Sequence, residues 1–199
     1  MLTKLRKRTE KAINLIVKAL AKLGIKPWMV TTLGLILSII AGIILFTATS
    51  EYDIICSIML YSFGCLMDAF DGALARFLDQ TSNWGAVYDS VSDRIGEIAF
   101  SLGLFNRYIC SMDFSEVIIT LYISTSLLIS YIRAKGEALH ISLEAIGIME
   151  RGDRVLSILA ALALWLILKI SFEYFLIILL AMNIITILQR LYHIKESID

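Results

Sequence analysis

Residues 27–50 carry not one charged side chain, and a run of that length constrains the chain more than any other feature. About 20 apolar residues in a helix cross the ~30 Å hydrocarbon core of a bilayer. Inside that core each backbone amide must be bonded within its own helix or barrel. Further apolar segments follow at 54–77 and 84–106, and 117–132, 155–168 and 174–189 seed three more. The expected fold is therefore an all-α integral membrane protein with six transmembrane helices forming one domain over 27–199. Of the 199 residues, 58% are apolar and 18% charged, where soluble domains run at about 45–50% and about 25%. One proline and 11 glycines exclude collagen-like, linker-rich and disordered architectures.

Residues 1–26 are of another kind. Lys4, Arg6, Lys7, Arg8, Lys11, Lys18, Lys22 and Lys26 stand against one acid, Glu10. Leu2, Leu5, Ile13, Ile16, Leu20 and Leu23 recur at three- or four-residue intervals, the period of one helix face. This is the pattern of an amphipathic juxtamembrane helix lying on an anionic leaflet. A cleaved leader is the competing reading; the long charged region and the span-length apolar run behind it argue against one. Six spans put both termini on one side. Of the 18 lysines and arginines only Arg107 and Lys169 then fall on the other, so the positive-inside rule places both termini in the cytoplasm, at the cell membrane. Trp28, Trp84 and Trp165 lie near span ends and read as interfacial anchors. The 18 bases balance 18 acids, so bulk charge offers nothing to nucleic acid. Cys56, Cys65 and Cys110, odd in number and widely spaced, form neither a disulfide framework nor a zinc pattern.

The informative region is 68–93. An aspartate near the middle of a spanning helix costs roughly 2.5–3.5 kcal/mol on insertion scales, and Asp68, Asp71, Asp89 and Asp93 occupy two consecutive spans. Asp68 and Asp71 are three apart and Asp89 and Asp93 four apart, so each pair shares a helix face. A short turn around 79–83 makes the two helices antiparallel neighbours, and both pairs can meet near the cytoplasmic boundary. Four carboxylates at one point repel strongly unless cations lie between them. Hard divalent ions take oxygen ligands and share them with substrate phosphates, and two such ions form a clamp for phosphoryl displacement. Two Mg²⁺ ions, with Mn²⁺ as a substitute, are the expected cofactors. No His or Cys lies inside the cluster, which argues against zinc. Gly72 and Ala75 keep the same face open for a phosphate, and Arg76 adds a forked donor suited to one.

The spacing Asp68-x2-Asp71-Gly72-x2-Ala75-Arg76-x8-Gly85-x3-Asp89-x3-Asp93 resembles the motif of the CDP-alcohol phosphotransferase family. The six spans and the basic N-terminal helix fit the same family, so the resemblance covers nearly the whole chain. It implies transfer of a phosphoalcohol from a CDP-linked lipid to an acceptor hydroxyl, with release of CMP. By position it makes Asp68, Asp71, Asp89 and Asp93 the metal ligands and Asp93 also the general base. Asp68, Gly72, Arg76 and Ser82 would contact the CDP portion, with Ala75 and Gly85 allowing close packing. The stretch 27–31 resembles the family's motif at the start of the first span and adds Thr31, Thr32 and Gly34 to the CDP-lipid contacts. Members often have Asn or Asp where this chain has Trp28. A homodimer is implied by the family alone.

Basic residues at the ends of the fourth, fifth and sixth spans bear on the acceptor. Arg133, Lys135, Arg151, Arg154 and Arg190 all fall at the cytoplasmic boundary and would suit an acceptor that itself carries phosphate. The positive-inside rule alone would also place them there. The arrangement resembles the branch of the family that uses inositol 1-phosphate, with CDP-archaeol or CDP-diacylglycerol as donor. Glycerol 3-phosphate carries the same charge and is the rival acceptor. Two other classes compete. An ion-coupled transporter could use intramembrane carboxylates as a relay, but spans five and six repeat nothing of the acidic pattern that duplicated transporters show. A scaffold without chemistry leaves four convergent aspartates unexplained.

Overall fold

The computed structural model describes residues 13, 15–106, 108–110 and 112–198. Most of these are helical, with no strand among the described residues. The helices are α1 (Pro27–Thr47), α2 (Glu51–Phe77), α3 (Asn83–Leu102) with a 3₁₀ turn at Gly103–Phe105, α4 (Ser115–Ala138), α5 (Arg151–Leu168) and α6 (Phe172–Ile198). The basic helix expected over 1–26 lies outside the described residues for 1–12 and Asn14; residues 15–22 are helical.

Among the described residues four helices, α1, α2, α4 and α6, are long and apolar enough to cross a membrane, as expected of a multi-pass membrane protein. The other two are helical where spans were expected, but charge thins their apolar character. Helix α3 carries Asp89, Asp93, Arg94 and Glu97, and the first turn of α5 carries Arg151, Asp153 and Arg154. On the apolar helices one face stays exposed. Met29, Leu33, Ile36, Ile40 and Ile43 follow one stripe of α1, all more than two-fifths exposed, a surface suited to lipid rather than water.

The chain divides into two compact units. The first comprises Met1–Ile43 with Cys56–Phe100. Its core includes Val17, Val30, Phe70 and Leu74, so the stretch ahead of α1 is packed on the end of α2. Between spanning helices the hydrophobic effect is weak, and small residues that let backbones approach take over. Gly34, Ser38 and Gly42, at intervals of four on α1, are such a stripe. A Cβ added at Gly34 would lie 2.9 Å from the Gly64 carbonyl oxygen of α2. The buried hydroxyl of Ser57 donates to the Ala41 carbonyl at 2.7 Å, and Tyr61 stacks on Phe100 with ring centroids 3.8 Å apart.

The second unit comprises Ile44–Ile55 with Ser101–Asp199. Here α4 and α6 are held by polar as well as apolar contacts. The buried Asn183 amide donates to Ser126 Oγ at 3.1 Å and to Thr125 Oγ1 at 3.2 Å. Buried Glu173 accepts from the Ser115 hydroxyl at 2.7 Å and from the Met112 amide at 2.8 Å. Helix α5 begins in a capping box between Glu150 and Asp153, which satisfies amides that the helix itself leaves without partners. Lys169, in the left-handed region at φ 55°, ends it and pairs with Glu51.

Candidate active site

The link between α2 and α3 sets the site. Asp79, at φ 52°, turns the chain out of α2. Ser82 then caps α3: its Oγ accepts from the Gly85 amide at 3.0 Å, a bond worth about 1 kcal/mol at helix starts. With so short a connection the two helices run antiparallel and their aspartates face each other. Asp68, Asp71 and Asp89 each present a carboxylate oxygen, all within 4.8 Å of one another. Asp71 is buried and the other two are half-buried. Asp93 stands one turn further along α3 and does not join this group. Its Oδ2 lies 3.8 Å from Nη1 of Arg94, and that nitrogen donates to the Ser90 carbonyl at 2.8 Å. Three like charges this close carry a large mutual repulsion unless a cation lies between them, and the donor set is all carboxylate oxygen, the kind Mg²⁺ and Mn²⁺ take.

Beside the cluster is a cavity of about 270 Å³, near the lower bound of about 300 Å³ for small-molecule sites. Of the residues expected to contact the CDP-lipid, Thr31, Gly72, Ala75, Arg76, Ser82 and Gly85 line it, and so do the expected metal ligands Asp71 and Asp89. A Cβ added at Gly72 would meet Arg76 Nη1 at 3.5 Å, an ordinary contact. The other three expected contacts lie elsewhere. Asp68 is in the carboxylate group, Gly34 packs on Gly64, and Thr32 shares a hydrogen bond of 2.8 Å with the Tyr88 hydroxyl. Thr31 lines the cavity while donating to Asp71 Oδ2 at 2.6 Å.

Seven lining residues were not among the expected site residues: Pro27, Trp28, Gln80, Thr81, Trp84, Ala86 and Tyr88. The two tryptophans read from sequence as interfacial anchors, and both are more than half exposed. Trp28 begins the turn that holds Thr31, and Trp84 and Tyr88 stand one turn apart beside Asp89. Helical spacing from residues already singled out was the available signal.

The five expected acceptor-binding bases belong to the second unit. Arg133 pairs through Nε with Glu137 at 2.9 Å, four residues on, and Lys135 is exposed. Arg151 and Arg154 share the first turn of α5. Arg154 and Arg190 are almost wholly buried. Arg190 donates from Nε to the Ile146 carbonyl at 2.9 Å and from Nη1 to the Ile129 carbonyl at 2.8 Å. Arg154 Nη1 reaches the Met149 carbonyl at 3.4 Å. Both arginines therefore tie down the connector between α4 and α5, which also buries Leu143 and Met149.

Residues 25–188 match the CDP-alcohol phosphatidyltransferase family, and the chain belongs to it: a membrane transferase acting on a CDP-linked alcohol. Among its relatives, the archaetidylinositol phosphate synthase of Pyrococcus horikoshii is 31% identical over 199 residues, 100% of this chain and 99% of that one. The phosphatidylinositol phosphate synthase of Mycolicibacterium smegmatis is 29% identical over 188 residues, 92% of this chain and 83% of that one. Two solved structures of the Mycobacterium tuberculosis phosphatidylinositol phosphate synthase superpose closely, each 26% identical. The one with CDP-DAG bound gives a TM-score of 0.80 over 92% of this chain and 94% of that one. The one in complex with manganese and citrate gives 0.79 over 92% and 88%.

Proposed function

We propose that this enzyme transfers the phosphoalcohol of a CDP-linked lipid, CDP-archaeol or CDP-diacylglycerol, to a hydroxyl of inositol 1-phosphate and releases CMP. The carrying observation is the convergence of Asp68, Asp71 and Asp89 beside a cavity lined by Arg76, in a chain matched along its whole length by an archaetidylinositol phosphate synthase. Asp68, Asp71, Asp89 and Asp93 would hold two divalent ions, Mg²⁺ or Mn²⁺. When bound, these ions neutralise charge on the diphosphate as it redistributes.

The chain's own groups do the rest. Arg76 and the Ser82 hydroxyl bind the CDP phosphates, and Gly72, Ala75 and Gly85 leave them room. The acceptor oxygen forms a bond to the phosphorus that carries the lipid, and the bond from that phosphorus to the CMP oxygen breaks. The acceptor's proton passes to a carboxylate oxygen of Asp93, and CMP departs with the bonding pair. Arg133, Lys135, Arg151, Arg154 and Arg190 supply the positive charge that holds the acceptor's phosphate.

The same reading takes 27–199 as the catalytic domain, with α3 and α5 completing six spans. It lays 1–26 on the membrane surface as an amphipathic helix, with both termini and the active site on the cytoplasmic side of the cell membrane. It also takes the working form as a homodimer. The positive-inside distribution of bases supports the orientation.

The test is purified protein with a CDP-lipid and Mg²⁺, given inositol 1-phosphate, glycerol 3-phosphate, serine or free inositol in turn. CMP release with inositol 1-phosphate is the expected result. Release with glycerol 3-phosphate alone would reassign the acceptor, and release with serine or free inositol alone would remove the role of the five bases.

A further inference from the structure

We infer that Thr31 and Thr32 are positioning residues for the carboxylate cluster, a pair of adjacent hydroxyls on α1 that set the two acid-bearing helices against each other. The inference rests on the metal-dependent reading of the cluster given above. Neighbouring residues on a helix point about 100° apart, so one threonine faces α2 and the next faces α3. Thr31 Oγ1 lies 2.6 Å from Asp71 Oδ2 and 3.3 Å from the Pro27 carbonyl. A hydroxyl has one proton, and the short contact to the charged acceptor takes it, since bonds to ionised groups are the stronger. Thr31 therefore donates to a carboxylate that the metal site needs, and both partners are buried.

The proton count fixes the second link as well. Thr32 Oγ1 donates to the Trp28 carbonyl at 2.7 Å, which uses its one proton. The 2.8 Å contact with Tyr88 then has the Tyr88 hydroxyl as donor and Thr32 as acceptor. Tyr88 precedes Asp89. The N-terminal end of α1 thus grips α2 at one metal-ligand candidate and α3 beside another. Deeper in the bundle the stripe of Gly34 and Gly42 holds the same three helices at close range, so the hydroxyls sit on a frame that cannot drift apart.

The consequence separates this role from a direct contact with the CDP-lipid. A threonine that orients Asp71 governs how tightly the divalent ion is held. Loss of an outer-shell partner to a metal ligand typically costs about 10–100-fold in metal affinity or activity. A threonine that touches the nucleotide would instead alter the KM for the donor at saturating metal.

Mn²⁺ binding to detergent-purified protein, followed by electron paramagnetic resonance without substrate, tests it, with folding checked by circular dichroism. Thr31→Val should fold and bind Mn²⁺ about 10–100-fold more weakly, and Thr31→Ser, which keeps the hydroxyl, should restore most of that loss. At saturating Mn²⁺ the donor KM of Thr31→Val should match that of the wild type. Wild-type Mn²⁺ affinity in Thr31→Val, an equal loss in Thr31→Ser, or a raised donor KM at saturating metal overturns the role of Thr31. Should the valine variant not fold, Thr31→Ala against Thr31→Ser decides the same question. Tyr88→Phe should also weaken Mn²⁺ binding, and unchanged affinity there removes the Thr32 link. A wild-type protein that binds no Mn²⁺ sinks the metal-dependent reading itself and this inference with it; normal binding in both wild type and Thr31→Val sinks only the inference.

Discussion

A Cβ added at Gly42 would lie 2.1 Å from the carbonyl oxygen of Ala99, so α1 and α3 meet backbone to backbone. The obstacle is main chain and cannot rotate away. Overpacking a tight core costs typically about 1–3 kcal/mol, and a rigid obstacle puts this site at the upper end. Gly42→Ala should lower the melting temperature in detergent and the yield of monodisperse protein. Ile36→Ala, on the exposed stripe of the same helix, should leave both nearly unchanged. Equal behaviour of the two variants would show that the close approach does not hold the first unit together.

Asp93 stands apart from the three gathered acids, and its proposed task is proton transfer as well as metal binding. General bases contribute typically about 10²–10⁴-fold to rate. Asp93→Asn should fold normally and cut CMP release by that factor, while Asp71→Asn, which removes a charge from the three-acid group, should also weaken Mn²⁺ binding. Turnover by Asp93→Asn within a few-fold of wild type would take the base assignment away.

Arg190 bridges the carbonyls of Ile129 and Ile146, a job for a planar fork with several fixed donors. Arg190→Lys keeps the charge and loses that fork. It should lower the melting temperature and speed amide exchange through the 139–150 connector, whatever it does to acceptor binding. A lysine variant with wild-type exchange but a raised KM for inositol 1-phosphate would assign Arg190 to the substrate alone.

Cys110, between the 3₁₀ turn and α4, is buried, and burial followed by the negative charge of Glu173 pushes its thiol up to about 12. An unfolded thiol titrates near 9.0. The folded form therefore favours the neutral thiol. Its contribution to stability is complete below pH 9 and drains away between 9 and about 12. Melting temperatures should fall over that window less steeply in Cys110→Ala than in the wild type, and Cys110 should resist iodoacetamide at pH 8 in the folded protein. Rapid alkylation at pH 8 would contradict the burial.

Much of the site was legible because its chemistry is local. Asp68 and Asp71 lie on one helix face, Asp89 follows after a short turn, and a three- or four-residue interval already says which carboxylates share a face. The charge-free run at 27–50 likewise announced a spanning helix with no tertiary information. Arg154 and Arg190 show where such reading stops. From sequence they counted as boundary charges suited to an acceptor's phosphate, while in the fold Arg190 bonds the carbonyls of Ile146 and Ile129, 44 and 61 residues away, and Arg154 that of Met149. Trp28 and Trp84 looked like membrane anchors and turned out to line the cavity, since exposure to a cavity and exposure to an interface leave the same trace in a sequence.

Periodicity and side-chain chemistry determined the membrane class, the all-helical fold and the shared face of each aspartate pair, because each depends on neighbours a few residues apart. Only the tertiary structure decided that Asp68, Asp71 and Asp89 gather, that Gly34 packs against Gly64, and that Thr31 reaches Asp71. Those outcomes depend on how closely one helix backbone approaches another and on the direction of a single hydroxyl proton. Spacing along the chain encodes neither.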